Sequence, residues 1–324
     1  MNYDKDVYEK AASVLNRRRL FAAEERDRRR NEIYEKFPEY KEADDGLSEA
    51  GIMLARYALN GADGEELDKL KANMKIFSEI KKKTLCNAGY PENYIEDVYS
   101  CAKCRDTGYI NGEMCECMRE ELNKTAADMS NISEILSKVR FDEFDISYYP
   151  DVTDENGNNP RKIIMNILNA AVNFMDNFES KNTKSMLFYG STGLGKTFLS
   201  TAIANSLSKS GKTVMYYSAK DLLRMITDNE FSRDYERRNE CTRAYTCDLL
   251  IIDDLGSEHI TSNSVASLFD ILNTRMINSK HMIINTNLNM KELNDVYSAR
   301  ILSRFTEFKI FKFIGNDIRY LKGE

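Results

Sequence analysis

The chain has 324 residues, of which 42% are hydrophobic and 30% charged, and its formal net charge is −6. This length and hydrophobic content suit two modest domains better than one large one, and the mixed charges argue against a uniformly basic nucleic-acid-binding protein. The sequence has no run of eighteen apolar residues and no apolar signal core in its first residues, MNYDKDVYEK, so we expect a cytoplasmic protein with no membrane partner and with reduced thiols.

Residues 1–95 are predicted to form a mainly helical N-terminal region. In GEELDKLKANMKIFSEIKKKTL, apolar residues recur every three or four positions, as on one helical face. Turn-like breaks at EKFPEYKEADDG and NGADG predict two or three helices. The stretch NRRRLFAAEERDRRR, residues 16–30, fits either a basic recognition surface or, as its interleaved acids favour, a solvated helix with i,i+4 ion pairs.

Residues 96–120 contain four of the seven cysteines, spaced as C-x-x-C, ten residues, then C-x-C. They are Cys101, Cys104, Cys115 and Cys117. Glycines between the two pairs allow the chain to turn back, which would bring four thiolates into the tetrahedral arrangement of a closed structural Zn²⁺ site. A thioredoxin-like redox pair would need a βαβ pattern around Cys101, and the sequence has none there. Unliganded thiols are the remaining alternative.

Residues 121–160 are predicted to be a linker, helical at first and then rich in Asn, Asp, Gly and Pro. Residues 161–324 form the second predicted domain. It opens with a helix, RKIIMNILNAAVNFMDNF, and continues with short apolar runs that alternate with helical stretches. Such alternation is typical of an α/β fold with a mostly parallel sheet covered on both faces. The predicted strands are SMLFYG, TVMYYS, LLIIDD, HMIINT and FKIFKFI.

The stretch GSTGLGKT matches the phosphate-binding pattern G-x-x-x-x-G-K-[ST] between a predicted strand and a predicted helix. Its backbone N–H groups and the positive end of the helix can converge on an anion. Lys196 would meet the β- and γ-phosphates, and the Thr197 hydroxyl would bind Mg²⁺. The predicted nucleotide contacts are Gly190, Ser191, Thr192, Gly193, Leu194, Gly195, Lys196, Thr197 and Phe198.

Two acids, Asp253 and Asp254, end the buried strand of CDLLIIDDLG. We expect Asp253 to hold Mg²⁺ and Asp254 to orient or deprotonate the attacking water. Because an aspartate reaches less far than the glutamate common at the second position, turnover would be slow. The alternative is a strand that ends in two solvated acids.

Polar residues later in the chain could complete the site. Asn287, after the strand HMIINT, could contact the γ-phosphate or the attacking water, or could instead serve a turn. Arg300, Arg304 and Arg319 could neutralise the γ-phosphate from the same subunit or from a neighbouring one. They could also be ordinary surface ion-pair partners.

With these motifs in this order, residues 92–320 resemble the bacterial helicase-loader ATPases of the DnaC/DnaI type, a branch of the AAA+ superfamily. The resemblance rests on FYGSTGLGKTFLSTAIA, CDLLIIDDLGSE, IINTNLN, SARILSRF and NDIRY, with YSCAKCRDTGYINGEMCEC and FDEFDISYY similar to the zinc module and linker of longer members.

The resemblance implies an AAA+ fold and hydrolysis of ATP with Mg²⁺. Lys196 and Thr197 would belong to Walker A, Asp253 and Asp254 to Walker B, and Asn287 would be sensor 1. Arg304 would be the arginine finger, with Arg300 as its competitor, and Arg319 would be sensor 2.

The same resemblance implies three kinds of partner. The N-terminal region would bind a replicative DnaB-type helicase, the AAA+ domain would bind single-stranded DNA, and the subunits would associate into a ring or spiral. For DNA contact, the segment from Ser218 to Arg238 offers basic and aromatic residues, although a plain amphipathic helix is the alternative.

Two rival functions stay open. A transposition accessory ATPase of the IstB type would bind a transposase and double-stranded DNA, but such proteins do not usually carry a cysteine module ahead of the core. A metal-dependent interaction protein would use ATP only as a switch. A small-molecule kinase is disfavoured, because it would not need the tandem aspartates, the amide-ended strand and the late arginines together.

Overall fold

The computed structural model describes residues 3–60, 64–131, 138–229 and 235–321. The chain divides into two compact units. The helical unit is Ala12–Met118, and the sheet unit combines Met1–Ala11 with Arg119–Glu324. Among the described helices, none is both long and apolar enough to cross a membrane.

Three long helices dominate the N-terminal part of the chain: α1 (Lys5–Lys36), α2 (Pro38–Asn60) and α3 (Gly64–Asn87). The chain breaks between α1 and α2 at Phe37, which precedes a proline. This break lies within the predicted one, EKFPEYKEADDG, although Gly46 at the end of that stretch lies inside α2. Residues 61–63 of the second predicted break, NGADG, lie outside the described residues. A Cβ on Gly46 would lie 2.7 Å from the Phe77 ring, so glycine here lets α3 approach closely.

The basic stretch at residues 16–30 lies on α1, with acids of the same helix beside its arginines. Arg28 and Arg29 both pair with Glu25, at 2.6 and 3.2 Å, and Arg30 pairs with Asp27 at 3.2 Å. These are the i,i+3 and i,i+4 pairs of the solvated-helix interpretation.

A small hairpin follows, formed by β1 (Tyr109–Ile110) and β2 (Glu113–Met114), which pair antiparallel. Helix α4 (Glu116–Met129) begins directly after it. The hairpin therefore places the second cysteine pair where the helix starts.

The sheet unit contains five parallel strands within the part of the chain that the structure describes, in the order β4-β5-β6-β3-β7. They are β3 (Met186–Tyr189), β4 (Val214–Ser218), β5 (Leu249–Leu255), β6 (His281–Thr286) and β7 (Lys309–Lys312). Alternate residues point to two separate apolar clusters. Leu187, for example, joins one, and its neighbours Met186 and Phe188 join the other. The sheet is thus covered on both faces, and the predicted class is confirmed: a helical N-terminal part and a parallel-sheet α/β domain.

The helices of the sheet unit lie between and around these strands. They are α5 (Pro160–Asp176), α6 (Lys196–Lys209), α7 (Ala219–Asn229), α8 (Tyr235–Thr246), α9 (Ser262–Ile277), α10 (Met290–Val296), α11 (Ala299–Phe305) and α12 (Ile318–Leu321). Two short 3-10 helices, Phe141–Glu143 and Ile146–Tyr148, precede α5.

The strand order brings three loops to one edge of the sheet. β6 pairs with β3 on one side and with β5 on the other, so the loops that follow these strands are neighbours. Ligands of open α/β sheets bind outside the carboxyl ends of such strands. The predicted phosphate loop, the two aspartates and Asn287 all lie at this edge.

Candidate nucleotide site and cysteine cluster

The loop between β3 and α6 needs glycine for its shape. Gly190 and Gly195 have φ of 139° and 84°. A Cβ on Gly190 would lie 2.5 Å from the Phe313 carbonyl oxygen, and one on Gly195 would lie 2.8 Å from the Tyr149 hydroxyl. Because larger residues would be strained and would clash there, the backbone keeps a compact loop at the N-terminus of α6, where an anion can bind.

The ammonium group of Lys196 is buried in this loop. Its Nζ donates to the carbonyl oxygens of Gly190 and Ser191, at 2.6 and 2.8 Å, and to Oδ1 of Asn287 at 2.8 Å. Burial lowers the pKa of Lys196 to about 8, although the nearby carboxylates of Asp254 and Asp253 oppose the shift. The ammonium group is therefore held by neutral oxygen atoms, which phosphate oxygens could replace.

Asp253 accepts hydrogen bonds from three side chains. Thr197 Oγ1 lies 3.1 and 3.2 Å from its two oxygens, Asn285 Nδ2 lies 2.8 Å from Oδ1, and the Tyr216 hydroxyl donates to Oδ2. Burial, followed by the Asp253 charge, raises the pKa of Tyr216, so the phenol keeps its proton. Thr197 and Asp253 thus bring two oxygen ligands together that could share one Mg²⁺.

Sequence reasoning missed Asn285 and Tyr216. Asn285 is fully buried on β6, and its amide also donates to Ser200 Oγ at 2.8 Å. An amide directly after the apolar residues of HMIINT, still within the predicted strand, was the available signal, because a buried amide needs partners. Tyr216 carried no such signal, since tyrosine is common in strands.

Asp254 differs from its neighbour in both backbone and environment. It is exposed, and its φ is 54°, which is uncommon outside glycine. Asn287 Nδ2 donates to Asp254 Oδ1 at 3.3 Å while Asn287 Oδ1 accepts from Lys196. One amide therefore connects the lysine to the second aspartate.

A cavity of about 420 Å³ opens beside these residues. Its lining is Glu143, Phe144, Asp145, Tyr148, Thr192, Gly193, Leu194, Gly195, Lys196, Thr197, Phe198, Asp254, Asn287, Ile318 and Arg319. Most of the predicted nucleotide contacts are therefore brought together. Gly190 and Ser191 instead reach Lys196 through their carbonyl groups.

Part of the segment read as a polar linker belongs to this cavity. Phe144 stacks on Tyr149, with ring centroids 5.9 Å apart and planes at 13°. Tyr149 is buried, and its hydroxyl donates to the Leu194 carbonyl oxygen at 2.7 Å. The aromatic residues of FDEFDISYY, interrupting a polar stretch, were the signal that this segment packs against the core.

The three candidate arginines occupy different places. Arg319 lines the cavity, and its Nε and NH2 donate to the two carboxylate oxygens of Asp317 at 3.0 and 2.8 Å. Arg304 lies on α11 with its guanidinium 5.5 Å from the centroid of the Phe269 ring. Arg300 is exposed on the same helix. Neither α11 arginine is among the residues that line the cavity.

The predicted DNA-contact segment is described only in part. Residues 230–234 lie outside the described residues, and α7 carries the exposed Arg224, which donates to Asp221 at 3.0 Å.

The four clustered cysteines come together in the helical unit, where their sulfur atoms all lie within 4.8 Å of one another. Cys104 Sγ lies 3.3 Å from Cys117 Sγ, and Cys101 Sγ lies 3.9 Å from Cys115 Sγ. Tetrahedral zinc with bonds of about 2.3 Å requires sulfur atoms about 3.8 Å apart, so the arrangement fits that ion.

The backbone around the cluster is well ordered by hydrogen bonds. The buried Asp106 accepts from the N–H groups of Ser100 and Cys101 at 2.8 and 2.9 Å. Burial acts to raise the pKa of Cys104, but hydrogen bonds from Cys117 and the Gly108 N–H outweigh it and lower the pKa to about 7. Burial and the hydrogen bond to Cys104 raise the pKa of Cys117, so one thiol of this pair ionises more readily than the other.

A family model described as IstB-like ATP binding protein matches residues 120–305, more than half of the chain. The chain belongs to this family. The IstB-like region covers the phosphate loop, both aspartates and Asn287.

Curated relatives of this IstB-like protein include DNA-replication and phage proteins. It is 27% identical over 143 residues to "Replicative helicase loader DnaC" of Escherichia coli K12. This alignment covers 43% of this chain and 57% of DnaC. It is also 27% identical over 221 residues to "Phage-like element PBSX protein XkdC" of Bacillus subtilis, which covers 62% of this chain and 76% of XkdC. The chain therefore spans little more than half the length of the DnaC relatives it matches.

Among solved structures, a crystal structure of DnaI aligns with 59% of this chain and 98% of its own, at 19% identity and a TM-score of 0.47.

Proposed function

We propose that this IstB-like protein is an ATPase that loads a replicative DnaB-type helicase onto single-stranded DNA. The observation that carries the proposal is its similarity to a replicative helicase loader, DnaC. The candidate nucleotide site supports it. At one edge of the sheet, hydrogen bonds join Asn287 to both Lys196 and Asp254, and another joins Thr197 to Asp253.

The site residues divide the work of hydrolysis. Lys196 would exchange its present carbonyl partners for phosphate oxygens. Thr197 and Asp253 would hold Mg²⁺, which supplies positive charge to the phosphate oxygens when bound. Asp254 would orient or deprotonate the attacking water, and Asn287 would keep Asp254 aligned with Lys196. We expect slow turnover, since an aspartate reaches less far than a glutamate.

The remaining parts would serve assembly. Residues 1–95 would bind the helicase, and residues 96–120 would be braced by one Zn²⁺ held by the four cysteines. Residues 121–160 would link this part to the ATPase domain at 161–324. Arg304 or Arg300 would reach the nucleotide of a neighbouring subunit in a ring or spiral, Arg319 would act in its own site, and the AAA+ domain would bind single-stranded DNA.

A loading assay tests this function. The full chain, the replicative helicase of its host and a single-stranded DNA circle are incubated with ATP, and DNA-bound helicase is measured. We expect loading and ATP hydrolysis to depend on the protein and to be lost in Lys196→Ala. If neither the helicase nor single-stranded DNA binds the protein or stimulates its ATPase, the proposal fails.

A second candidate, an accessory ATPase of transposition, is favoured by the matching family model. It predicts ATP-dependent binding to double-stranded DNA and to a transposase. Parallel binding measurements with single- and double-stranded DNA of one sequence discriminate the two, because tighter binding to the duplex supports the transposition role.

A further inference from the structure

A buried carboxylate follows the two aspartates of β5. Glu258 is 8% exposed, and its two oxygens have different donors. The Gly256 N–H donates to Oε2 at 2.8 Å, and the Tyr297 hydroxyl donates to Oε1. Because a buried carboxylate is costly without donors, both bonds constrain where this side chain can lie.

The loop that carries Glu258 is joined to the residues of the nucleotide site. Asp254 and Ser257 close a turn, in which Ser257 N–H donates to the Asp254 carbonyl oxygen at 3.1 Å. The Thr286 hydroxyl donates to the Leu255 carbonyl oxygen at 2.6 Å. A Cβ on Gly256 would lie 2.4 Å from Leu288, the residue after Asn287. The loops bearing Asp254 and Asn287 are therefore packed against each other, and Glu258 lies at the end of the first of these loops.

Tyr297, whose hydroxyl donates to Glu258, lies between α10 and α11. It is 4% exposed, and its N–H donates to the Leu293 carbonyl oxygen at 2.9 Å. The next residue, Ser298, is the N-cap of α11, the helix of Arg300 and Arg304. A movement of Tyr297 would therefore also move the first residues of α11.

We infer that Tyr297 is a positioning residue, which transmits the state of the Asp254 turn through Glu258 to the arginine-bearing helix α11. The inference rests on the proposed function, because it takes the α11 arginines to act on a neighbouring nucleotide. A change at Asp254 on nucleotide binding moves Glu258, and Tyr297 follows because its hydroxyl is held by that carboxylate.

Tyr297→Phe tests the link, because it removes one hydroxyl and keeps the ring in the apolar cluster. Tyr217→Phe is the matched control. Tyr217 is buried in the same cluster and donates to a carboxylate, Glu240, at 3.0 Å, but it lies on β4 away from α11. Glu258→Gln is a second test. Both oxygens of the carboxylate accept a hydrogen bond, whereas a glutamine amide has one accepting oxygen and one donating NH2 group, so it loses one of the two bonds.

The primary readout is hydrogen exchange of α11 amides with and without a non-hydrolysable ATP analogue, together with the Kd of that analogue. In the wild type and in Tyr217→Phe we expect the analogue to change exchange at residues 299–305. In Tyr297→Phe and Glu258→Gln we expect that change to be lost, with Kd within about twofold of the wild type and kcat lowered about fivefold at unchanged KM.

The inference is overturned if the analogue does not change hydrogen exchange of α11 in the wild type, or if it changes that exchange in Tyr297→Phe as much as in the wild type. A general structural effect would instead weaken analogue binding and raise exchange throughout the sheet unit, which also counts against the link. Failure of the proposed function looks different: the α11 response would persist in an analogue-bound protein that loads no helicase.

Discussion

Two adjacent aspartates at the end of β5 have opposite environments, and this separates their roles. Asp253 is buried, and side chains from α6, β4 and β6 donate to it. Asp254 is exposed beside the cavity and contacts the Asn287 amide. A fixed carboxylate suits a metal ligand, whereas one at the cavity wall can reach water.

Asp254→Asn should therefore keep ATP binding and lose hydrolysis. The substitution preserves the shape of the side chain but removes its basicity, so we expect kcat to fall about a hundredfold or more with little change in nucleotide affinity. Steady-state ATPase measurements beside nucleotide titrations check this, and Asp176→Asn, an exposed aspartate at the end of α5, is the control. Unchanged hydrolysis would remove Asp254 from the catalytic site.

Lys196 should make nucleotide affinity depend on pH. Its pKa of about 8 in the free protein means that the ammonium is lost as pH rises through 8, so the Kd for ATP should weaken by about tenfold per pH unit above that point. Titrations from pH 7 to 9.5 with a fluorescent ATP analogue measure this. Thr197→Ala, which keeps the lysine, should show the same slope, and a flat profile would contradict the low pKa.

The lowered pKa of Lys196 affects stability in the opposite direction, because raising the pH weakens nucleotide binding but stabilises the nucleotide-free fold. Because the folded pKa lies below the ordinary value of 10.5, the unfolded chain binds more protons between pH 8 and 10.5. The free energy of unfolding of the nucleotide-free protein should therefore gain a favourable contribution across that window as pH rises.

Among the elements, the strands were predictable and their side-chain partners were not. The apolar runs that predicted strands contain β3, β4, β6 and β7 and all of β5 except Leu255, since buried strands read as continuous apolar segments. The bond from Asn285 to Asp253 joins residues 32 positions apart, and the bond from Tyr149 to Leu194 joins residues 45 apart. Such contacts depend on strand order, which the pattern of apolar runs does not specify. Gly46 shows the same limit, because its packing against Phe77 accounts for a glycine within α2 and no sequence pattern gives that contact.

The hairpin with its four cysteines should bind zinc and depend on it. We expect about one zinc per chain by elemental analysis, and less in Cys104→Ser, because a closed structural site uses four ligands. Removing the metal should destabilise the helical unit, since so small a hairpin has little core of its own. Thermal unfolding with and without a chelator measures this effect.

Cys86 provides the control for the cysteine cluster. It is exposed near the end of α3 and lies outside the cluster, so Cys86→Ser should keep both zinc and stability. Zinc far below one per chain in the wild type, with an undisturbed helical unit in Cys104→Ser, would show that the thiols are unliganded.

At the scale of the whole molecule, the proposed function takes an α11 arginine to act at the nucleotide of a neighbouring subunit. A single chain would then lack a complete nucleotide site. Complementation between variants tests this arrangement. Lys196→Ala and Arg304→Ala should each be nearly inactive alone, while an equal mixture should recover about a quarter of the wild-type ATPase rate, because random association pairs an intact site with an intact arginine at about that frequency.

Arg300→Ala identifies which arginine acts. If Arg304 is the finger, Arg300→Ala alone should hydrolyse ATP at nearly the wild-type rate. The assignment would be reversed if Arg304→Ala alone were active, while Arg300→Ala were inactive alone and recovered about a quarter of the wild-type rate when mixed with Lys196→Ala. If the inactive arginine variant recovers no activity in its mixture with Lys196→Ala, action between subunits is excluded.

The contact of Tyr149 with the phosphate loop has a mechanical consequence. Its ring lies between Phe144 and the core, and its hydroxyl holds the carbonyl oxygen of Leu194 directly before Gly195 and Lys196. The position of the phosphate-loop backbone therefore depends on a residue that lies far from the loop in sequence. A change at Tyr149 would alter the loop directly before Lys196 while leaving Asp253 and Asp254 untouched.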